Sequence, residues 1–288
     1  MRTWFLLSAS FVMCQSASEG ADCLPRPRLT LSRQTQEVVR LDLTGSPGIN
    51  YAIEKLDALS GWTRIATNRS ASGVMTFSYP VSWADPLTVF RAVTTMSADG
   101  LGGAFIFNGN TFAGWEGDTI STFRIAQCAI VGGSLTQRPA ENRFLCTTRR
   151  YTNFILRLEF KLLGTNGFIN SGVQYRSERV AGSQQVVGYQ ADLGDGYWGS
   201  LYDESRRDVV LAAANQAAVG AVLRRGDWNT YMIHAEGARM RFWINGYQTI
   251  DYTEASAGIP RYGIIGLQVH AGGYSEASFR NISVEVLP

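Results

Sequence analysis

A chain of 288 residues, 45% hydrophobic and 17% charged, has room for two modest domains and a sizeable core. Its net charge of +2 selects no polyanionic partner, and no basic block interleaved with aromatics points to nucleic acid. The 30 Gly beside 14 Phe, 12 Tyr and 7 Trp, with few long helical periods, favour an all-β protein rich in turns.

Residues 1–18, within MRTWFLLSASFVMCQSASEG, read as a signal peptide. Arg2 opens it, Trp4 to Met13 form an apolar run, and Ser16 to Ser18 supply small residues for cleavage. The run is short for a bilayer span and no later segment looks transmembrane, so the expectation is a secreted, periplasmic or envelope protein. Cleavage leaves Cys23, Cys128 and Cys146, an odd number that makes no disulfide framework. Cys128 and Cys146 lie on apparently neighbouring strands, and either a bridge between them or two buried thiols fits.

From Pro25 to Val93 the runs EVVRLDL, NYAIEKL, WTRIAT, VMTFSYP and LTVFRAV alternate with Gly, Pro, Asn and Ser turns. Six or so short strands predict a small immunoglobulin-like β-sandwich over 25–93, with Trp62 and Trp83 as core residues. TTMSADGLGG, residues 94–103, reads as a linker. Residues 104–288 carry longer strands, enough for a two-sheet antiparallel jelly roll that folds on its own. In one strand Phe154, Leu156, Leu158 and Phe160 alternate with Ile155, Arg157, Glu159 and Lys161. Asn245-Gly246 is a type I′ hairpin signal, and Glu236-Gly237 is another turn candidate. DVVLAAANQAAV, residues 208–219, is expected to run as a loop along one edge, with a helical turn as the alternative.

Three strands carry a polar face: Gln174 and Arg176, Gln190 and Asp192, Gln268 and His270. Amides, a carboxylate, a guanidinium and an imidazole suit a polyhydroxylated ligand better than they suit bulk solvent. GYWGSLYDESRR adds Tyr197, Tyr202, Glu204 and Arg207 on a glycine-broken loop, and aromatic rings pack on sugar faces. A small carbohydrate is the expected partner.

FNGNTFAGWEG, FLCTTRRYTNFILRLEFKL, NSGVQYRS, GYQADLGDGYWGSLYDESRR, WNTYMIHAEGARMRFWINGYQTIDY, GLQVHAGG and FRNISVEVL stand in the order typical of the 3-keto-disaccharide hydrolase family, long catalogued as a domain of unknown function. The resemblance covers Phe105 to Leu287 and implies a concanavalin-like jelly roll that cleaves glycosides already oxidised at C3. Many members of that family have an acid where Gln190 stands and an amide where Asp192 stands, and an Asp-Gly turn where Gln127-Cys128 stands.

The chemistry follows from the ketone. A C3 carbonyl acidifies C2–H, a base removes that proton, and the enolate expels the C1 substituent before water adds. In this scheme Asp192 is the base with His270 as competitor, Arg176 and His270 stabilise the enolate, and Glu204 protonates the leaving oxygen. Gln174, Gln190, Gln268, Tyr197, Tyr202 and Arg207 position the sugar. The same donors admit a divalent cation such as calcium as Lewis acid, although no spacing forms a dedicated metal motif. A non-catalytic, lectin-like carbohydrate-binding domain is the rival reading. A retaining glucanase needs two carboxylates roughly 5 Å apart, and the Glu-x-Asp-x-x-Glu strand motif is absent. A purely structural envelope protein leaves the polar rows unexplained.

Overall fold

The computed structural model describes residues 23, 27–35, 37–46, 49–57, 61–69, 72–80, 89–94 and 104–288. The expected signal peptide, the linker beyond Thr94 and Trp83 lie outside the described residues. The chain divides into two compact units, Met1–Ala104 and Phe105–Pro288. Among the described residues no helix is long and apolar enough to cross a membrane.

The first unit holds β1 (Arg28–Arg33), β2 (Val38–Thr44), β3 (Asn50–Asp57), β4 (Gly61–Arg69), β5 (Val74–Pro80) and β6 (Val89–Thr94). They form two antiparallel three-stranded sheets, ordered β1-β2-β5 and β4-β3-β6. Alternation decides which side is buried: Val39, Leu41 and Leu43 are inside, while Arg40 and Asp42 pair outside at 2.9 Å. Trp62 is half-buried beneath the Arg91 guanidinium, 4.1 Å from the ring centre, so it is a flank and not a core residue.

The second unit begins with β7 (Ala104–Phe105), β8 (Trp115–Glu116), β9 (Phe123–Ala126), β10 (Ala129–Gly133), β11 (Arg143–Thr147) and β12 (Phe154–Gly167). It continues through β13 (Asn170–Arg179), β14 (Val186–Gly194), β15 (Leu201–Glu204), β16 (Val210–Ala212) and α1 (Gln216–Val222). It ends with β17 (Asn229–Glu236), β18 (Arg239–Ile244), β19 (Tyr247–Thr253), β20 (Ile264–Val269) and β21 (Gly273–Val286). One sheet is ordered β19-β18-β17-β12-β21-β10-β9, with β7 also on β21; the other is β16-β15-β14-β13-β20-β11-β8. This is the expected all-β, antiparallel two-sheet jelly roll.

Its core lies between the sheets. Phe154, Leu156, Leu158 and Phe160 come from β12, and Val173, Tyr175, Tyr189, Ala191, Leu193 and Leu267 from the facing sheet. Tyr175 spans the layers, edge-on to Phe154 at 6.3 Å and to Phe242 at 5.7 Å. Asn245 and Gly246 both have positive φ, 48° and 85°, as the type I′ signal requires. Gln127 and Cys128 make the same kind of turn between β9 and β10 at φ 49° and 62°, with neither Asp nor Gly.

Two expectations are corrected. Residues 208–219 do not run as a loop: they enter β16 and then α1, which Asn215 caps by accepting from the Ala218 N–H. Cys128 does not bond Cys146, which is a buried free thiol pushed up to about 12 by desolvation. The two cysteines belong to different sheets, because β9 and β10 continue from β21 whereas β11 continues from β20.

Candidate active site

Regular pleating places Val173, Tyr189, Ala191, Leu193 and Leu267 in the core and turns Gln174, Gln190, Asp192 and Gln268 to the other face of the same sheet. Cross-strand register sets Gln174 opposite Gln190, Gln190 opposite Tyr202, and Asp192 opposite Gly172. This face is not open to water: Gln174 and Gln268 are 0% exposed, Gln190 2% and Asp192 3%. Polar groups buried so completely must find partners.

Three of the four find them in sequence. Ser177 Oγ lies 2.9 Å from Gln174 Oε1, Gln174 Nε2 donates to Gln190 Oε1 at 2.7 Å, and Gln190 Nε2 donates to Asp192 Oδ1 at 2.7 Å. Gly172 makes room for this run: a Cβ there would stand 2.5 Å from the Gln190 amide carbon. Both amide atoms of Gln268 are buried without a partner among the described residues.

A cleft of about 210 Å³ opens at the end of these rows. Six of the residues singled out from sequence line it: Gln190, Asp192, Tyr197, Tyr202, Glu204 and His270. Phe168 and Asn170 complete the wall. Phe168 meets the His270 ring edge-on at 4.9 Å and the Tyr197 ring at 6.2 Å. Neither was selected from sequence. Asn170 has the parity of Gln174 and could have been found by extending the polar row backwards; Phe168 sits in a turn, where no period applies.

The electrostatics separate the two carboxyls and the imidazole. Burial raises Asp192 to about 8, against the lowering effect of the Gln190 hydrogen bond and with a further push from the negative charge of Glu204. Glu204 is also raised by burial, while the Asn142 amide, 3.2 Å from Oε1, opposes the rise. His270 is lowered by burial, and its Nδ1 lies 2.6 Å from the Ala271 carbonyl. A carbonyl only accepts, so the proton sits on Nδ1 and Nε2 carries the lone pair. Burial thus favours the protonated carboxyl at Asp192 and the neutral imidazole at His270 within the same cleft.

Four expected site residues lie elsewhere. Arg176 is carried off the polar row by a bulge between Tyr175 and Glu178, where its own φ is 47°. Its guanidinium donates to the carbonyls of Thr152 and Gly237 and to Asn153 Oδ1 instead. Arg207 returns to the core side of the sheet, where it meets Asp203 and donates to Glu254 Oε2 at 2.7 Å. Gln174 and Gln268 share the polar face but do not line the cleft; Gln174 supports Gln190 from behind. His270, with Nε2 as acceptor, is not set to donate to an enolate oxygen as expected. Among the described residues no three His, Cys, Asp or Glu side chains cluster to hold a metal ion.

A family model described as the 3-keto-alpha-glucoside-1,2-lyase-like domain matches residues 104–285. No curated protein matches the chain. Among solved structures, a protein described as a "putative glycosyl hydrolase" from Parabacteroides distasonis aligns with a TM-score of 0.50 at 19% identity, covering 66% of this chain and 95% of that one. A carbohydrate-binding module from Bacillus subtilis aligns with a TM-score of 0.47 at 18% identity, covering 60% and 95%. At 19% identity the first likeness is one of fold alone, whereas the family model spans nearly the whole second unit. Over residues 104–285 the chain belongs to the 3-keto-alpha-glucoside-1,2-lyase-like family, the family whose motifs its strands resemble.

Proposed function

We propose that the second unit cleaves 3-keto-glycosides by elimination, with His270 as base and Asp192 as proton-bearing donor. The observation that carries this reading is that one cleft holds a buried carboxyl beside an imidazole whose Nδ1 is bound to the Ala271 carbonyl, burial favouring the protonated form of the first and the neutral form of the second. His270 Nε2 takes the proton from C2, and the electron pair of that C–H bond delocalises onto the C3 oxygen. Protonated Asp192 donates a hydrogen bond to this oxygen as its charge develops. The enolate pair then returns, the C1–O bond breaks, and the leaving oxygen takes the proton that His270 Nε2 accepted from C2, so the acid role expected of Glu204, whose negative charge raises Asp192, passes to the His270 imidazolium. Water adding across the resulting double bond completes a net hydrolysis. The expected roles are thus rearranged: the base moves from Asp192 to its competitor His270, and the donor role of Arg176 passes to Asp192. Tyr197, Tyr202, Asn170 and Gln190 position the sugar, with Phe168 packing on one ring face. Export of the protein is part of this reading and rests on the sequence of residues 1–18.

The pH profile of kcat/KM on a 3-keto-disaccharide tests the assignment. Activity requires His270 without its extra proton and Asp192 with its proton. It should rise through the His270 pKa, which lies below the ordinary 6.5, and fall as pH passes about 8. A profile that instead rises through about 8 returns the base to Asp192. The C2 hydrogen should exchange with solvent deuterium, and the unoxidised sugar should not be cleaved. Sugar binding with no turnover of any 3-keto-glycoside makes the unit a carbohydrate-binding domain.

A further inference from the structure

We infer that Gln174, which the cleft does not touch, is a positioning residue that decides through Gln190 which oxygen of Asp192 carries its proton. The inference deepens the proposed donor role of Asp192, and it can be measured without any substrate. Each amide in the run from Ser177 to Asp192 accepts at one end and donates at the other, with contacts of 2.9, 2.7 and 2.7 Å. Turning Gln174 over would set its Oε1 against Gln190 Oε1, and turning Gln190 over would set its Nε2 against Gln174 Nε2, so the orientation of Gln174 dictates that of Gln190. All of these side chains are buried, which keeps water from substituting for a misplaced amide.

Gln190 Nε2 therefore holds Asp192 Oδ1 as an acceptor, and the acid proton belongs on Oδ2. The titratable groups that share the cleft with Asp192 are Tyr197 after β14, Tyr202 and Glu204 on β15 and His270 beyond β20, while Tyr231 on β17 lies on the core side of the sheet. None of them is Lys or Arg. The amide run is then the chief stabiliser of the ionised form, opposing the burial that favours the neutral acid.

The test is a carbon NMR titration of the Asp192 carboxyl in the full chain, beside the pH profile of kcat/KM. In Gln174→Leu, Gln190 loses its anchor. The carboxyl titration and the alkaline limb of activity should both move upward by about one pH unit. kcat should fall about tenfold with KM changed less than twofold. Ser177→Ala removes the hydroxyl that starts the run, which also reaches the Tyr175 and Tyr189 carbonyls, should shift both readouts the same way by less, and keeps the test open if Gln174→Leu does not fold. Unmoved titration of Asp192 in a folded variant overturns the inference. A shifted titration in a protein that cleaves no 3-keto-glycoside upholds the inference and overturns the proposed function instead.

Discussion

The seven-stranded sheet carries a buried carboxyl site on each face, and the two obey opposite rules. On the core side Asp203 is 0% exposed, yet Arg206 stands 2.6 Å from Oδ1 and Arg207 meets Oδ2. Glu254 beside it takes Arg207 at 2.7 Å and the Tyr189 hydroxyl at 2.8 Å, and these partners hold it down at about 2. On the other face Asp192 is nearly as buried, receives one neutral amide, and rises to about 8. The two sites are close in the fabric of the sheet: Tyr189 pairs with Asp203, and Gln190, the next residue, pairs with Tyr202. Guanidinium groups were within a strand of Asp192 and were turned away. A desolvated acid left uncompensated in a cleft marks chemistry, whereas a compensated one marks structure.

The largest expected effect breaks the comparison on its functional side. His270→Gln keeps a polar side chain but removes the proposed base, so on the proposed function turnover of a 3-keto-glycoside should fall by about 10²–10⁴-fold, with the melting temperature little changed. Next comes the structural side. Arg207→Ala leaves Glu254 and Asp203 buried without one of their cations and should cost about 3 kcal/mol by denaturant unfolding. Its alkaline activity limb should stay near pH 8, because Arg207 does not line the cleft. Loss of activity in folded Arg207→Ala would place that arginine back in the site.

How much of this was legible in the sequence follows from where strand periodicity holds. Counting by two correctly separated Gln190 and Asp192 from Tyr189 and Ala191, because nothing interrupts β14. It failed at Arg176, where a bulge inserts a residue with positive φ and no glycine announces it. The partners that stabilise that bulge, the carbonyls of Thr152 and Gly237, are 24 and 61 residues away in the chain. Arg207 was misplaced for a related reason: the turn holding Ser205 and Asp208 at φ 55° and 52° sends it back to Asp203. The Asn-Gly turn was readable because its chemistry is local; the charge state of Asp192 was not, because it is set by burial and by Glu204 on another strand.

The third effect is one of linkage, and its sign differs between the two sites. Asp192 has a folded pKa above its unfolded one, so from about pH 4 to 8 the folded chain keeps a proton that the unfolded chain has released. Its contribution to stability therefore declines as pH rises through that window, with a slope of about 1.4 kcal/mol per pH unit for one proton. Glu254 is depressed, so its contribution is present above its ordinary 4.5 and is lost as pH falls toward about 2. Asp192→Asn removes the first slope and leaves the second. Urea unfolding at pH 5, 6 and 7 should show the variant gaining on the parent as pH rises; parallel curves would mean that Asp192 ionises normally.

The smallest effect concerns the aromatic wall. Phe168 is 44% exposed, too open for a core residue, and stands edge-on to both His270 and Tyr197. On the proposed function that ring packs its remaining face on the sugar, and such a contact is worth about 0.5–1.5 kcal/mol. Phe168→Ala should therefore raise KM about three- to tenfold, because ground state and transition state lose the same packing. It should leave kcat within about a factor of three, since the Nδ1 bond to the Ala271 carbonyl still orients His270. A fall in kcat as large as that of His270→Gln, with KM unchanged, would show that the phenyl ring holds the imidazole in place and does not bind sugar.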